Sequence, residues 1–155
     1  MTAARFHLAQ ANIAYMRASQ DDPLLADFVA ALDRINELAD VSPGFVWRYI
    51  TDSRDPAQRE FDDTLVLFNM SVWESVDALH AFTYRTDHAG IFAKRRKWFE
   101  EALIKTGLPA FVLWWIPAGE RPTVAEAKVR LKLLADRGPT PDGFTFKQRF
   151  EPAAR

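Results

Sequence analysis

The chain has 155 residues, 48% of them hydrophobic and 26% charged, which is about one domain's length and excludes a disordered or collagen-like chain. Its 20 basic and 21 acidic residues leave a net charge of −1, so no global field recruits nucleic acid or anionic lipid. It has no cysteine, which excludes disulfides, thiolate metal sites and a cysteine nucleophile, and no apolar run approaches the roughly 20 residues of a membrane span, so a cytoplasmic protein is expected.

Phe6–Ala14 lacks turn residues and reads as a strand, with Phe6, Leu8, Gln10 and Asn12 on one face and His7, Ala9, Ala11 and Ile13 on the other. Asp22-Pro23 supplies an N-cap and a first helical residue that needs no N–H, and Leu25, Phe28, Leu32, Ile35 and Ala39 then recur at helical spacing until Pro43-Gly44. Gly44–Ile50 predicts a strand with Phe45, Trp47 and Tyr49 on one side and Val46, Arg48 and Ile50 on the other. Asp52–Asp63, with Pro56, reads as a loop, and Thr64–Met70 as the antiparallel partner strand. A helix opens at Ser71 or Trp73-Glu74 with Val76, Leu79, His80 and Phe82 in phase, and a fresh cap at Thr86 or Asp87 predicts a kink or new helix from His88 to about Lys105. After Gly107-Leu108-Pro109 the run Ala110–Ile116 is a strand apolar on both faces. Thr123-Val124-Ala125-Glu126 matches a capping box and opens a helix with Val124, Ala127, Leu131 and Leu134 inward. Phe144, Phe146 and Phe150 suggest a last edge strand.

This order is βαββαβ plus a C-terminal helix and strand, an α+β, ferredoxin-like antiparallel sheet in one domain over residues 1–155. Two helices cover one face of such a sheet. The second apolar face then needs a cover, most simply the sheet of a partner chain, so a homodimer is expected.

The runs Asn69-Met70-Ser71-Val72-Trp73-Glu74-Ser75-Val76, Leu113-Trp114-Trp115-Ile116-Pro117-Ala118-Gly119 and Ser42-Pro43-Gly44-Phe45-Val46-Trp47-Arg48 resemble the DUF3291 family, as do Gly138-Pro139-Thr140 and Gly143-Phe144-Thr145-Phe146. The resemblance runs from Leu8 to Phe150. It implies the dimeric α/β-barrel group, whose members include antibiotic-biosynthesis monooxygenases, aldoxime dehydratases and dye-decolourising peroxidases, and it implies no settled activity.

Candidate site residues concentrate on the segment after Thr86. His88, Arg95 and Trp98 share one helical stripe, and Phe92 and Arg96 share its neighbour, so an anion-binding pocket with His88 as proton acceptor and Arg95 or Arg96 as anion partner is one reading. The other is a solvated charge run, since Lys94-Arg95-Arg96-Lys97 is continuous. His80 and Tyr84 are i, i+4, but no carboxylate completes a metal motif, so no metal is expected. No cofactor is expected either, with haem on His88 or His80 kept as an alternative because related barrels bind haem through a helical His. Trp47, Trp73, Trp98 and Trp114 are core or interface residues, or else walls of a flat cavity. Asn12 and Asn69 lie among apolar strand neighbours, so their amides bond each other, water or a ligand. The expected function is a small-molecule enzyme for an aromatic or apolar substrate between sheet and helices, of the cofactor-independent monooxygenase or isomerase kind. The alternative is a non-catalytic ligand-binding or haem-binding barrel. Nucleic-acid and membrane partners are not expected.

Overall fold

The computed structural model describes residues 5–19, 21–50, 61, 63–85 and 95–152. Its elements are β1 (Phe6–Met16), α1 (Ala26–Asp40), β2 (Phe45–Arg48), β3 (Val66–Trp73), α2 (Val76–Arg85), α3 (Arg95–Trp98), β4 (Phe99–Glu100), α4 (Ala102–Thr106), β5 (Phe111–Pro117) and α5 (Val124–Arg137). One antiparallel sheet runs β2-β3-β1, and the far edge of β1 is shared by β5 along Phe6–Asn12 and by β4 at Tyr15–Met16. With α1 and α2 as crossovers, β1, β2, β3 and β5 make the ferredoxin-like arrangement that the element order predicts. No helix among the described residues is long and apolar enough to cross a membrane.

The caps follow sequence chemistry. Asp22 accepts from the Leu24 N–H at 2.9 Å ahead of a 3-10 turn (Pro23–Leu25), Ser75 Oγ accepts from the Ala78 N–H at 3.1 Å, and Thr123 Oγ1 accepts from the Glu126 N–H at 3.1 Å. Half of the expected capping box forms. The Glu126 carboxylate turns instead to the Trp114 indole N–H, 3.1 Å away, and to Arg130. Gly44 ends the turn after α1 with φ +84°, and a Cβ there would lie 2.5 Å from Ala78 Cβ, so the turn and α2 approach as closely as only glycine allows.

The register separates the faces. Leu8, Gln10 and Asn12 stand opposite Trp73, Ser71 and Asn69 of β3 and opposite Trp115, Leu113 and Phe111 of β5, so these nine residues share one face. On that face Leu8, Trp73 and Leu113 pack with Ala39, Val76, Leu79 and Phe144, and Met16 packs with Leu25, Phe28 and Trp98 near the other end. On the opposite face Ala9, Ala11, Ile13, Met70, Val72, Val112 and Trp114 are buried together with Val124, Ala127, Leu131 and Leu134 of α5.

That last packing corrects the argument for a partner sheet. The second apolar face is covered within the same chain by the appended helix, so the need for a homodimer no longer follows from an open face. Three further expectations differ. A bulge between Phe45 and Trp47 sends Phe45 to the α1/α2 side, while Trp47 and Tyr49 go to the α5 side, so these three rings do not share a face. The helix expected from His88 to Lys105 is broken at Phe99–Glu100, which pair with Met16 and Tyr15. A continuous helix would set Trp98 and Ala102 on one stripe, yet they are buried in clusters on opposite faces, because the chain turns round the sheet edge between them. The last strand reduces to a bridge between Phe144 and Leu113, with two backbone hydrogen bonds of 2.8 Å.

Candidate functional site

Between the two apolar clusters of the α1/α2 face lies a belt of polar side chains. Gln10 Nε2 donates to Ser71 Oγ at 2.7 Å and to Asn69 Oδ1 at 3.1 Å. Asn12 Nδ2 donates to Gln10 Oε1 at 3.0 Å, and the Trp73 indole N–H donates to Ser71 Oγ at 2.8 Å. Strand geometry puts the cluster together: Gln10 and Asn12 are two residues apart on β1, Asn69 and Ser71 two apart on β3, and the pairs are in register. Gln10 and Ser71 are buried, Asn12 and Asn69 half-buried. The network satisfies the inner ends of both asparagines. For Asn69 Nδ2 and Asn12 Oδ1 no hydrogen-bond partner is present among the described residues.

Aromatic rings flank the belt. Trp73 stacks on Phe82 of α2 at 5.2 Å and meets the edge of Phe45 at 5.4 Å. On the other side Phe111, the register partner of Asn12, lies 5.1 Å from Phe146, whose ring meets His80 at 5.1 Å. The C-terminal segment carrying Phe146 is tied down by the Trp115 indole N–H on Phe150 O at 2.7 Å and by the Arg149–Asp77 ion pair at 2.9 Å. The members of the belt are all uncharged. The arrangement can hold an oxygen or nitrogen atom at the edge of a flat molecule, but Ser71 has no base within hydrogen-bond reach among the described residues, so its hydroxyl is no activated nucleophile.

The expected site residues divide. Asn12, Asn69 and Trp73 come together. Trp98 is on the same side of the sheet but in the other apolar cluster, against Phe28 at 5.5 Å, and its Nε1 has no partner among the described residues. Trp47 and Trp114 lie on the α5 face, so they cannot wall a pocket shared with Trp73. Tyr84 is 62% exposed, its ring 4.5 Å from His80. The His80 ring packs against those of Tyr84 and Phe146. Arg95 and Arg96 are exposed at the start of α3, and Arg96 O accepts from Arg17 Nε at 2.8 Å. His88 and Phe92, with the cap at Thr86-Asp87, lie outside the described residues. Among the described residues, no group of three or more His, Asp or Glu is placed to hold a metal ion.

Sequence reasoning missed Gln10 and Ser71. Both carried a signal, polar residues at period two on a strand face that is otherwise apolar, but Ser71 also fitted a helix cap, and what Gln10 and Asn12 face on β3 was set only by the register.

A family model described as "Domain of unknown function (DUF3291)" matches residues 7–155. The chain belongs to the DUF3291 family. No curated protein matches it. This DUF3291 protein is similar in fold to two solved structures of SnoaB, described as a cofactor-independent oxygenase from Streptomyces nogalater. The first, an asparagine-to-alanine variant of SnoaB, is 14% identical, with 74% of this chain and 95% of the SnoaB chain covered at a TM-score of 0.47. For the second the identity is again 14%, the coverage 76% and 97%, and the TM-score 0.46.

Proposed function

We propose that this DUF3291 protein is a small-molecule enzyme whose aromatic or apolar substrate lies between the sheet and helices α1 and α2, with a carbonyl, enolate or phenolate oxygen held by the amide belt. One observation carries the reading: a satisfied polar network on an otherwise apolar face that still turns the outer ends of Asn12 and Asn69 away from it. A donor held in place, here the outward NH2 of Asn69, stabilises charge developing on a bound oxygen without reorganising. That is the protein's part in cofactor-independent monooxygenation or isomerisation of an enolic or phenolic substrate, whose proton passes to water because the belt itself holds no base. The α5 helix covers the second sheet face, and the belt's members all come from one chain.

A second reading, a non-catalytic binding protein using the same belt, is favoured by the absence of an ionisable group among the five bonded residues. Quenching of tryptophan fluorescence by naphthols and hydroxynaphthoquinones, followed by oxygen uptake and product analysis with every binder, separates the two. Binding that Asn69→Ala weakens tenfold or more, accompanied by turnover, supports the enzyme; binding without turnover supports the second reading. Binding unchanged in both Asn69→Ala and Asn12→Ala refutes the site.

A further inference from the structure

Among the described residues Gln10 alone bonds both asparagines. It is 4% exposed at the middle of β1, and its amide uses both hydrogens and one lone pair within the cluster. Each bond also decides which end of the partner's amide is left over. Asn69 turns its oxygen to Gln10, so its NH2 group faces away; Asn12 turns its nitrogen to Gln10, so its Oδ1 faces away. Because the two bonds are made by opposite ends of one amide, the two asparagines must present opposite ends outward. Rotating Gln10 by a half-turn would reverse both together and leave the pair still complementary.

From this we infer that Gln10 is the positioning residue of the site, and that it fixes the ligand class: a flat molecule with a hydrogen-bond donor and an acceptor adjacent on one edge, as in a lactam or a vinylogous acid. The inference rests on reading the belt as a small-molecule site. A ligand with only an acceptor leaves Asn12 unanswered, and a ligand with only a donor leaves Asn69 unanswered. Sites built around a polar pair reject such analogues strongly, because a desolvated group is left without a partner.

The test uses three matched bicyclic probes: 2-quinolone, which carries both groups; N-methyl-2-quinolone, which lacks the donor; and indole, which lacks the acceptor. Titration into 15N-labelled protein, followed through the side-chain amide signals of Asn12 and Asn69, gives location and affinity together. The expected result is that 2-quinolone binds at least about tenfold tighter than either analogue and moves both signals. In Gln10→Glu, measured at a pH high enough to ionise the buried carboxyl, the carboxylate only accepts, so both asparagines turn their nitrogens inward and both oxygens face the ligand. The advantage of 2-quinolone over indole then falls below about threefold, a change that loss of packing alone does not produce. Equal affinities of the three probes, with both amide signals moving, overturn the donor–acceptor pairing and leave the site standing. A tenfold preference retained in Gln10→Glu overturns the role of Gln10. Asparagine signals that none of the probes moves overturn the site itself.

Discussion

If α5 is the cover of the second sheet face, its largest fully buried side chain must carry a large share of the stability. Leu131 is 0% exposed and belongs to the cluster that includes Ala9, Ala11, Val112 and Trp114. Leu131→Ala removes three carbons, and at about 0.8 kcal/mol per buried methylene that is about 2.4 kcal/mol of lost transfer energy. A cavity term adds about 24 cal/mol for each Å³ that fails to refill. The floor beneath is a hydrogen-bonded sheet with alanines at 9 and 11, which cannot bend inward to close the space. The expected loss is therefore in the upper part of the usual range, about 3–5 kcal/mol.

Urea denaturation with the slope held free measures this, and Val129→Ala provides the control: Val129 lies on the same helix at 64% exposure, and its truncation should stay within about 0.5 kcal/mol of zero. A loss below about 1 kcal/mol for Leu131→Ala, or one equal to the control, would refute α5 as the cover. So would a denaturation midpoint that rises steadily with protein concentration while Leu131→Ala leaves it unchanged, since a partner chain would then supply the burial.

Gly44→Ala combines a left-handed backbone with a Cβ 2.5 Å from Ala78, and about 2–4 kcal/mol of destabilisation is expected in the same assay. Trp98→Phe keeps most of the ring and deletes an indole N–H that is buried without a partner among the described residues, so stability should change by less than about 1 kcal/mol, whereas Trp98→Ala should cost about 3–5 kcal/mol. The Tyr15 phenol is held above its ordinary pKa of 10.0 by its hydrogen bond to Asp63, by burial and by the charges of Asp63 and Glu100. The folded protein therefore keeps this proton at pH values where the unfolded chain releases it, so the contribution is present below about pH 10 and is lost as the pH rises above it. Asp63→Asn should bring the phenol titration, followed by ultraviolet absorbance, back towards 10; a titration unmoved by the substitution would remove Asp63 as the cause.

Elements governed by local chemistry were readable from sequence. The α5 helix follows from apolar spacing and from the Thr123 cap, α1 from apolar spacing behind the 3-10 turn that Asp22 caps, and β1, β3 and β5 from alternation or continuous apolarity. What depended on long-range pairing was not. Nothing local marks the bulge in β2, since Phe45, Trp47 and Tyr49 alternate perfectly; only pairing with Trp73 and Val72 reveals the slip. The helical stripe through Arg95, Trp98 and Ala102 is genuine in sequence and irrelevant in structure, because Phe99 and Glu100 pair with β1 instead. The same limit applied to the site. Asn12 and Asn69 were legible as odd amides, while the cluster needed the antiparallel register that sets Gln10 beside Ser71.

The polar belt has a structural cost that argues for its use. On the α5 face, every β3 residue from Val66 to Val72 is buried, and the matching stretch of β1 at Ala9, Ala11 and Ile13 is buried too. On the other face Asn12, Ala14, Leu67, Asn69 and Phe111 are only half-buried. The α1 helix runs from one apolar cluster to the other: Leu25 and Phe28 are sealed at its start and Ala39 at its end, yet Leu32 and Ile35 between them are half-buried. Large apolar side chains at 12 and 69 would each contribute about 1.5–3 kcal/mol by burial, whereas the single hydrogen bond each amide makes to Gln10 contributes about 0.5–1.5 kcal/mol. Among the described residues, the half-buried middle of α1 and the polar floor ordered by Gln10 are what the proposed flat ligand would cover, with the polarity the two asparagines present.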